Sequence, residues 1–184
     1  STVTLNGTIA TSNDAVTFGA VTLGSATTID TNASNTTGDL TIGVVTGGSN
    51  ALTLSTGDNV ANSDITASGN ISGVTTLTLS DVGGTATFAG DVDVTTLTVG
   101  NTVANVAING DGSTVTNTVS FANDGTLQLA DATGDTLTFN GGVTTTGVGG
   151  TVTLNGTINA SDDAITLGAV TLGSNTTVDT NAAS

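Results

Sequence analysis

Aliphatic and hydroxyl side chains alternate along this chain in short bursts. Val3 and Leu5 interleave with Thr2 and Thr4, Val21 and Leu23 flank Thr22, and Leu52 and Leu54 flank Thr53. The same two-residue beat returns at Leu77 and Leu79, Leu97 and Val99, Leu127 and Leu129, Leu137 and Phe139, Val152 and Leu154, and Val170 and Leu172. Successive side chains of an extended backbone point to opposite faces, so each burst predicts a strand with one aliphatic face and one threonine face. The bursts run for four to six residues and are separated by Gly, Asn, Asp and Ser, as in "GSATTIDTNASNTTGD" and "STGDNVANSD". Asn-Gly at 6–7, 109–110, 140–141 and 155–156 can supply the positive φ of tight corners. The expected class is all-β.

A longer pattern lies over this beat. "TVTLNGTI" stands at 2–9 and again at 151–158, and with an offset of 149 and no gap residues 2–33 match residues 151–182 at 25 of 32 positions. Mismatches such as Val16 against Ile165, Phe18 against Leu167 and Ile29 against Val178 keep apolar positions apolar. Residues 1–184 are therefore expected to form a single segment of a longer repetitive chain or filament, with one period of 149 residues and the beginning of the next.

Two all-β layouts compete for such a chain. A sandwich or barrel needs hairpins and bulky inner faces, and four Phe with no Trp or Tyr fill little volume per strand. A solenoid needs only thin coils whose inner aliphatics stack on like neighbours, and Val, Leu, Ile and Ala at similar spacing provide them. The expectation is a parallel β-helix, or β-solenoid, with coils of roughly 20 residues. The alternative is a β-sandwich subunit in which a terminal strand, residues 2–9, completes the sheet of a neighbour.

The stretches "GAVTLGSATTIDTNAS", "GDLTIG", "NALTLSTGDNVANSDITASGNISGVTTLTLS" and "TATFAGDVDVTTLTV" resemble the repeats of large secreted exoproteins and adhesins of the filamentous-haemagglutinin type. The resemblance covers essentially the whole chain as a style of wording, with no single diagnostic motif. It implies a right-handed parallel β-helix acting as an extracellular or cell-surface stalk or fibre.

Composition narrows the chemistry. There is no Lys, Arg or His, and fifteen Asp with no Glu give a formal net charge of −15. Such a chain repels nucleic acid and anionic membranes, which need basic residues to neutralise phosphate. No apolar run approaches the roughly 20 residues that cross a bilayer, so membrane insertion is not expected. Without His, Cys or Lys there is no nucleophilic triad and no Schiff-base chemistry. Asp91 and Asp93 share one side of an extended strand and Asp162 and Asp163 are adjacent, but no Arg, His, Tyr or Trp is present to grip a sugar between paired carboxylates. Enzymatic activity is not expected, and no catalytic residue or organic cofactor is assigned.

Calcium is the better partner for the carboxylates. "NGDGS" places Asn109, Asp111 and Ser113 around two glycines like half of an oxygen-ligand loop, without the distal bidentate Glu. Thr-x-Thr occurs at 2–4, 76–78, 85–87, 96–98, 114–116, 136–138 and 151–153, among other places, the pairs that ice-binding solenoids rank in file. Gaps of 9, 11, 18, 22 and 15 from Thr76 onward argue against such ranks here. The functional expectation is a structural fibre or adhesin-stalk segment that meets copies of itself end to end. The alternative is a surface module that binds glycans or calcium.

Overall fold

The computed structural model describes residues 1–12, 14–32, 38–57 and 62–182. It is all-β among those residues, and every pair of named strands is parallel. The chain winds through about eight turns of roughly 21 residues, and each turn contributes a strand to three stacked ladders. A β-solenoid is formed, and the sandwich completed by a neighbour's strand is not.

Partner residues define the ladders. In the first, Val16, Leu40, Ile65, Ala86, Val106, Leu127, Val152 and Val170 stand one over the next. The second begins Val3, Val21, Val45, Ile71 and Val92, and passes from Asp93 beside the last of these to Thr114 and Thr138. The third carries Ile9, Ile29, Leu54, Leu79, Val99 and Phe121, and from Val119, two residues before Phe121 in the same coil, it continues to Val143 and Ile165. Long strands such as Val45–Ser55 and Ile71–Leu79 serve two ladders, and a register shift marks the corner where each turns from one to the other.

The alternation seen in the sequence sorts into inside and outside. Leu40, Ile42, Ile65, Leu52, Leu54, Leu77 and Ile71 are fully buried, while the threonines between them face outward. Each aliphatic side chain rests on another of similar size a layer away, so the core is a continuous thread along the axis and no large aromatic is required to fill it. The few aromatics thicken one region: Phe121 and Phe139 meet edge to face, with ring centroids 6.2 Å apart and planes at 89°.

Coil length varies from 18 to 26 residues between ladder partners, as in Val3 to Val21 and Val45 to Ile71. The strands hold their register and the corners absorb the difference. One corner closes tightly because it is built of glycine: a Cβ on Gly110 would collide with the backbone of Gly90, and one on Gly90 with that of Gly69. Stacked glycines there let the backbones of successive coils touch.

Truncating one thread residue should be costly because the layers above and below cannot collapse into the gap. Leu77→Ala is expected to lower stability by about 2–5 kcal/mol, read from the urea midpoint, whereas Thr78→Ser on the outer side of the same strand should leave that midpoint nearly unchanged.

Candidate functional site

Corners hold most of the polar chemistry, and there Asp and Asn reach from one coil to the next. The Asp39 carboxylate accepts from the Asp64 backbone N–H at 3.0 Å, and the Asp64 carboxylate accepts from the Thr85 N–H at 2.7 Å. Further along the same edge the Asn105 side-chain oxygen accepts from the Thr126 N–H at 2.8 Å and from its hydroxyl at 3.0 Å. Asn70 and Asp91 are bonded twice: the Asp91 N–H donates to Asn70 Oδ1 and Asn70 Nδ2 donates to the Asp91 carboxylate. These short side chains supply acceptors where the backbone ladder lapses at a bend. The negative charge of the chain is thus built into the stacking and is not only a solvated coat.

The residues expected to bind calcium sit in this system. Asn109 Oδ1 accepts from Gln128 Nε2 at 2.9 Å, and the Asp111 carboxylate accepts from the Thr136 N–H at 3.0 Å. Ser113 is buried, with its hydroxyl donating to the Gly110 carbonyl and accepting from the Val92 N–H. Each of the three oxygens is engaged by a different neighbour. Among the described residues no group of three or more Asp side chains gathers as a metal-ion site.

A recess opens elsewhere, at the corner between the second and third ladders. Between matched partners this corner holds residues 47–51 in one coil, 73–76 in the next, 94–96 in the third and 115–118 in the fourth. The shortest stretch lies between longer ones, so the surface steps inward, and Gly48, Ser49 and Gly73 at φ of 58°, 65° and 66° turn the overhanging backbone. The resulting groove of about 300 Å³ is lined by Ser49, Thr75, Asp93, Thr95, Thr114 and Thr116. Five hydroxyls and one carboxylate share its wall with Gly73, Val74 and Val94. Burial raises the Asp93 carboxyl above the usual range and the nearby Asp91 charge raises it further, against the lowering effect of the Thr114 N–H.

A second carboxylate pair escaped the sequence reading. In "DATGD" the Asp135 carboxylate is buried and accepts from the backbone N–H groups of Asp131 and Ala132 at 3.0 and 2.8 Å. Burial works to raise Asp135, yet those two donors and the Asp131 carboxyl together hold it below its ordinary value. Asp131 is raised, by burial first and then by its bond to Asp135 and that residue's charge. An Asp that caps a loop three and four residues before it was the signal available in the sequence. Of the pairs read from the sequence, Asp91 and Asp93 are held apart in role: one bonds Asn70 and the other Thr114.

Hydroxyls are ordered in space although Thr-x-Thr is irregular in sequence. Thr8, Thr28, Thr53, Thr78 and Thr98 are partners in turn on the outer side of the third ladder, and Ser120, Thr144 and Thr166 continue the file. The uneven gaps are taken up at corners and never reach the strands. The file is one residue wide over most of its length. Among the described residues, paired threonines of this ladder face each other only at Thr76 with Thr96 beside Thr78 with Thr98, too short a stretch for a flat double rank.

Compared with protein-family models, curated proteins and solved structures, the chain matches none.

The sign of the Asp93 shift fixes a pH dependence. A carboxyl whose native pKa lies above its unfolded one is protonated preferentially in the fold, so its contribution is most favourable at low pH. That contribution is lost as pH rises from the ordinary Asp range through the raised native value. Asp93→Asn should therefore stabilise the protein relative to the parent above that window, with the difference vanishing below it, as read from urea midpoints across pH.

Proposed function

We propose that this chain is a structural segment of an extracellular or cell-surface fibre, an adhesin stalk that lengthens head to tail with copies of itself. The observation that carries the reading is the state of the outermost coils. Leu172 and Val178 in the last long strand are 61% and 46% exposed, and Val3 in the first is 43% exposed, whereas their equivalents within the stack are buried. Both outermost strands offer an unpaired parallel edge beside these side chains. A further coil would cover the apolar residues and satisfy the backbone with bonds of the kind already present between coils.

Charge supports the same role. A surface of Asp and Thr with no cation keeps rods apart sideways and hydrated, which leaves the ends as the place for association. The absence of Lys and Arg removes every trypsin site, a useful property for an exposed object. The role is mechanical, with no catalytic step, no direct contact to nucleic acid and no insertion into a membrane.

The Asp93 groove favours a second reading, a recess of hydroxyl and aliphatic side chains that takes a glycan or, through its carboxylate, calcium. The two readings separate by experiment. Electron microscopy of the concentrated protein is expected to show threads of uniform width with a layer spacing of about 4.8 Å. Single short rods at every concentration, together with saturable binding on a glycan array or calcium binding by calorimetry, would replace the fibre with the binding module.

A further inference from the structure

The 149-residue repeat is not a whole number of turns. Val3 lies in the second ladder, paired with Val21, whereas its equivalent Val152 lies in the first, between Leu127 and Val170. Six turns along the second ladder lead from the strand of Val3, through those of Val21, Val45, Ile71, Val92 and Thr114, to the strand of Thr138. The chain then crosses the third ladder at Val143 and enters the first at Val152. One period is six turns and two thirds of another.

Local structure is the same in the two copies in spite of the change of face. Leu5 pairs with Leu23 and Leu154 with Leu172; both strands then shift register at a glycine, Gly7 at φ 69° and Gly156 at φ 61°. Each of those glycines donates its N–H to a serine hydroxyl at 3.3 Å, Ser25 in one copy and Ser174 in the other. The corner that joins the second ladder to the third in the first copy joins the first to the second in the other. The three faces are therefore interchangeable to the same sequence.

We propose that further periods of this repeat, continuing the coil at its open edge, each set the same surface two thirds of a turn further round, so that the stalk displays every surface feature in three directions in succession. This rests on the stalk reading above. With about 4.8 Å per coil, each period advances about 32 Å and a given surface returns to its first direction after three periods, about 96 Å. The Asp93 groove would then recur as a three-start array along the rod, open to ligands from every side.

Because the chain has no cysteine, engineered pairs report the phase cleanly. Gln128 and Thr153 are partners in the first ladder, at a separation that a disulfide spans. If the period closed on whole turns, Thr153 would share the ladder of Thr4 and stand over the strand of Thr138. In the full chain, Gln128→Cys with Thr153→Cys should therefore close on mild oxidation, while Thr138→Cys with Thr153→Cys stays reduced; the opposite result overturns the proposal. The display itself is read from a tandem in which two copies of residues 2–150 precede residues 2–184. Each period carries Thr98→Cys, an exposed position, tagged with a small gold cluster. Electron microscopy should find the tags pointing in three directions, and a single file of tags refutes the array. The tandem reads this whether or not the parent polymerises, so a protein that never joins end to end would count against the stalk alone.

Discussion

Every coil of this protein is stabilised by its neighbours along the axis, through parallel backbone bonds and through aliphatic side chains that lie on one another layer upon layer. That single requirement explains the narrow alphabet. Inward positions take Val, Leu and Ile because a thread one or two side chains wide has room for nothing larger, apart from places such as Phe121 and Phe139 where two rings meet. Outward positions take Thr, whose branched side chain suits an extended backbone and whose hydroxyl keeps it wetted. Corners take Gly where backbones touch and Asp or Asn where a bend leaves an N–H without its ladder partner.

The strands are constant and the corners are variable, and the surface features arise from that difference. The groove beside Asp93 exists because one corner is shorter than those around it, and the same step half-buries the carboxylate and raises its proton affinity. Such a recess requires no dedicated loop or domain. Adding or removing a residue at a bend is enough to make one, with the core undisturbed.

Much of the architecture was legible in the sequence. The period-two beat at Leu52–Leu54, Leu77–Leu79 and Leu127–Leu129 marks strands that are buried on the side predicted, and the shortage of aromatics pointed to a stack of thin coils. What escaped was anything set by the corners, whose length does not follow from the local pattern. The spacing of Thr-x-Thr argued against ranks, yet Thr8, Thr28, Thr53, Thr78 and Thr98 stand in file because the corners take up the difference between coils of 20 and 25 residues. Asn109, Asp111 and Ser113 are close in sequence, and what the sequence does not show is that the first two bond the following coil while Ser113 bonds the preceding one. The Asp93 recess is invisible in any one segment, since its walls come from four consecutive turns.

The backbone ladders are aligned with the rod while the covalent chain circles it. Tension applied along the axis therefore falls on hydrogen bonds and packed side chains, and peptide bonds take the load only once a turn has come away. The third ladder is the seam at which this would start near one end, because its strands there, Val119–Ser120, Val143–Thr144 and Ile165–Thr166, are each two residues long. A turn of roughly 21 residues that peels off yields about 70 Å of slack in exchange for about 4.8 Å of rod. A coil of this kind pulled along its axis would hold stiffly under small forces and give way by stages under large ones, with each detached turn acting as a reserve of length that rewinds when the pull ends.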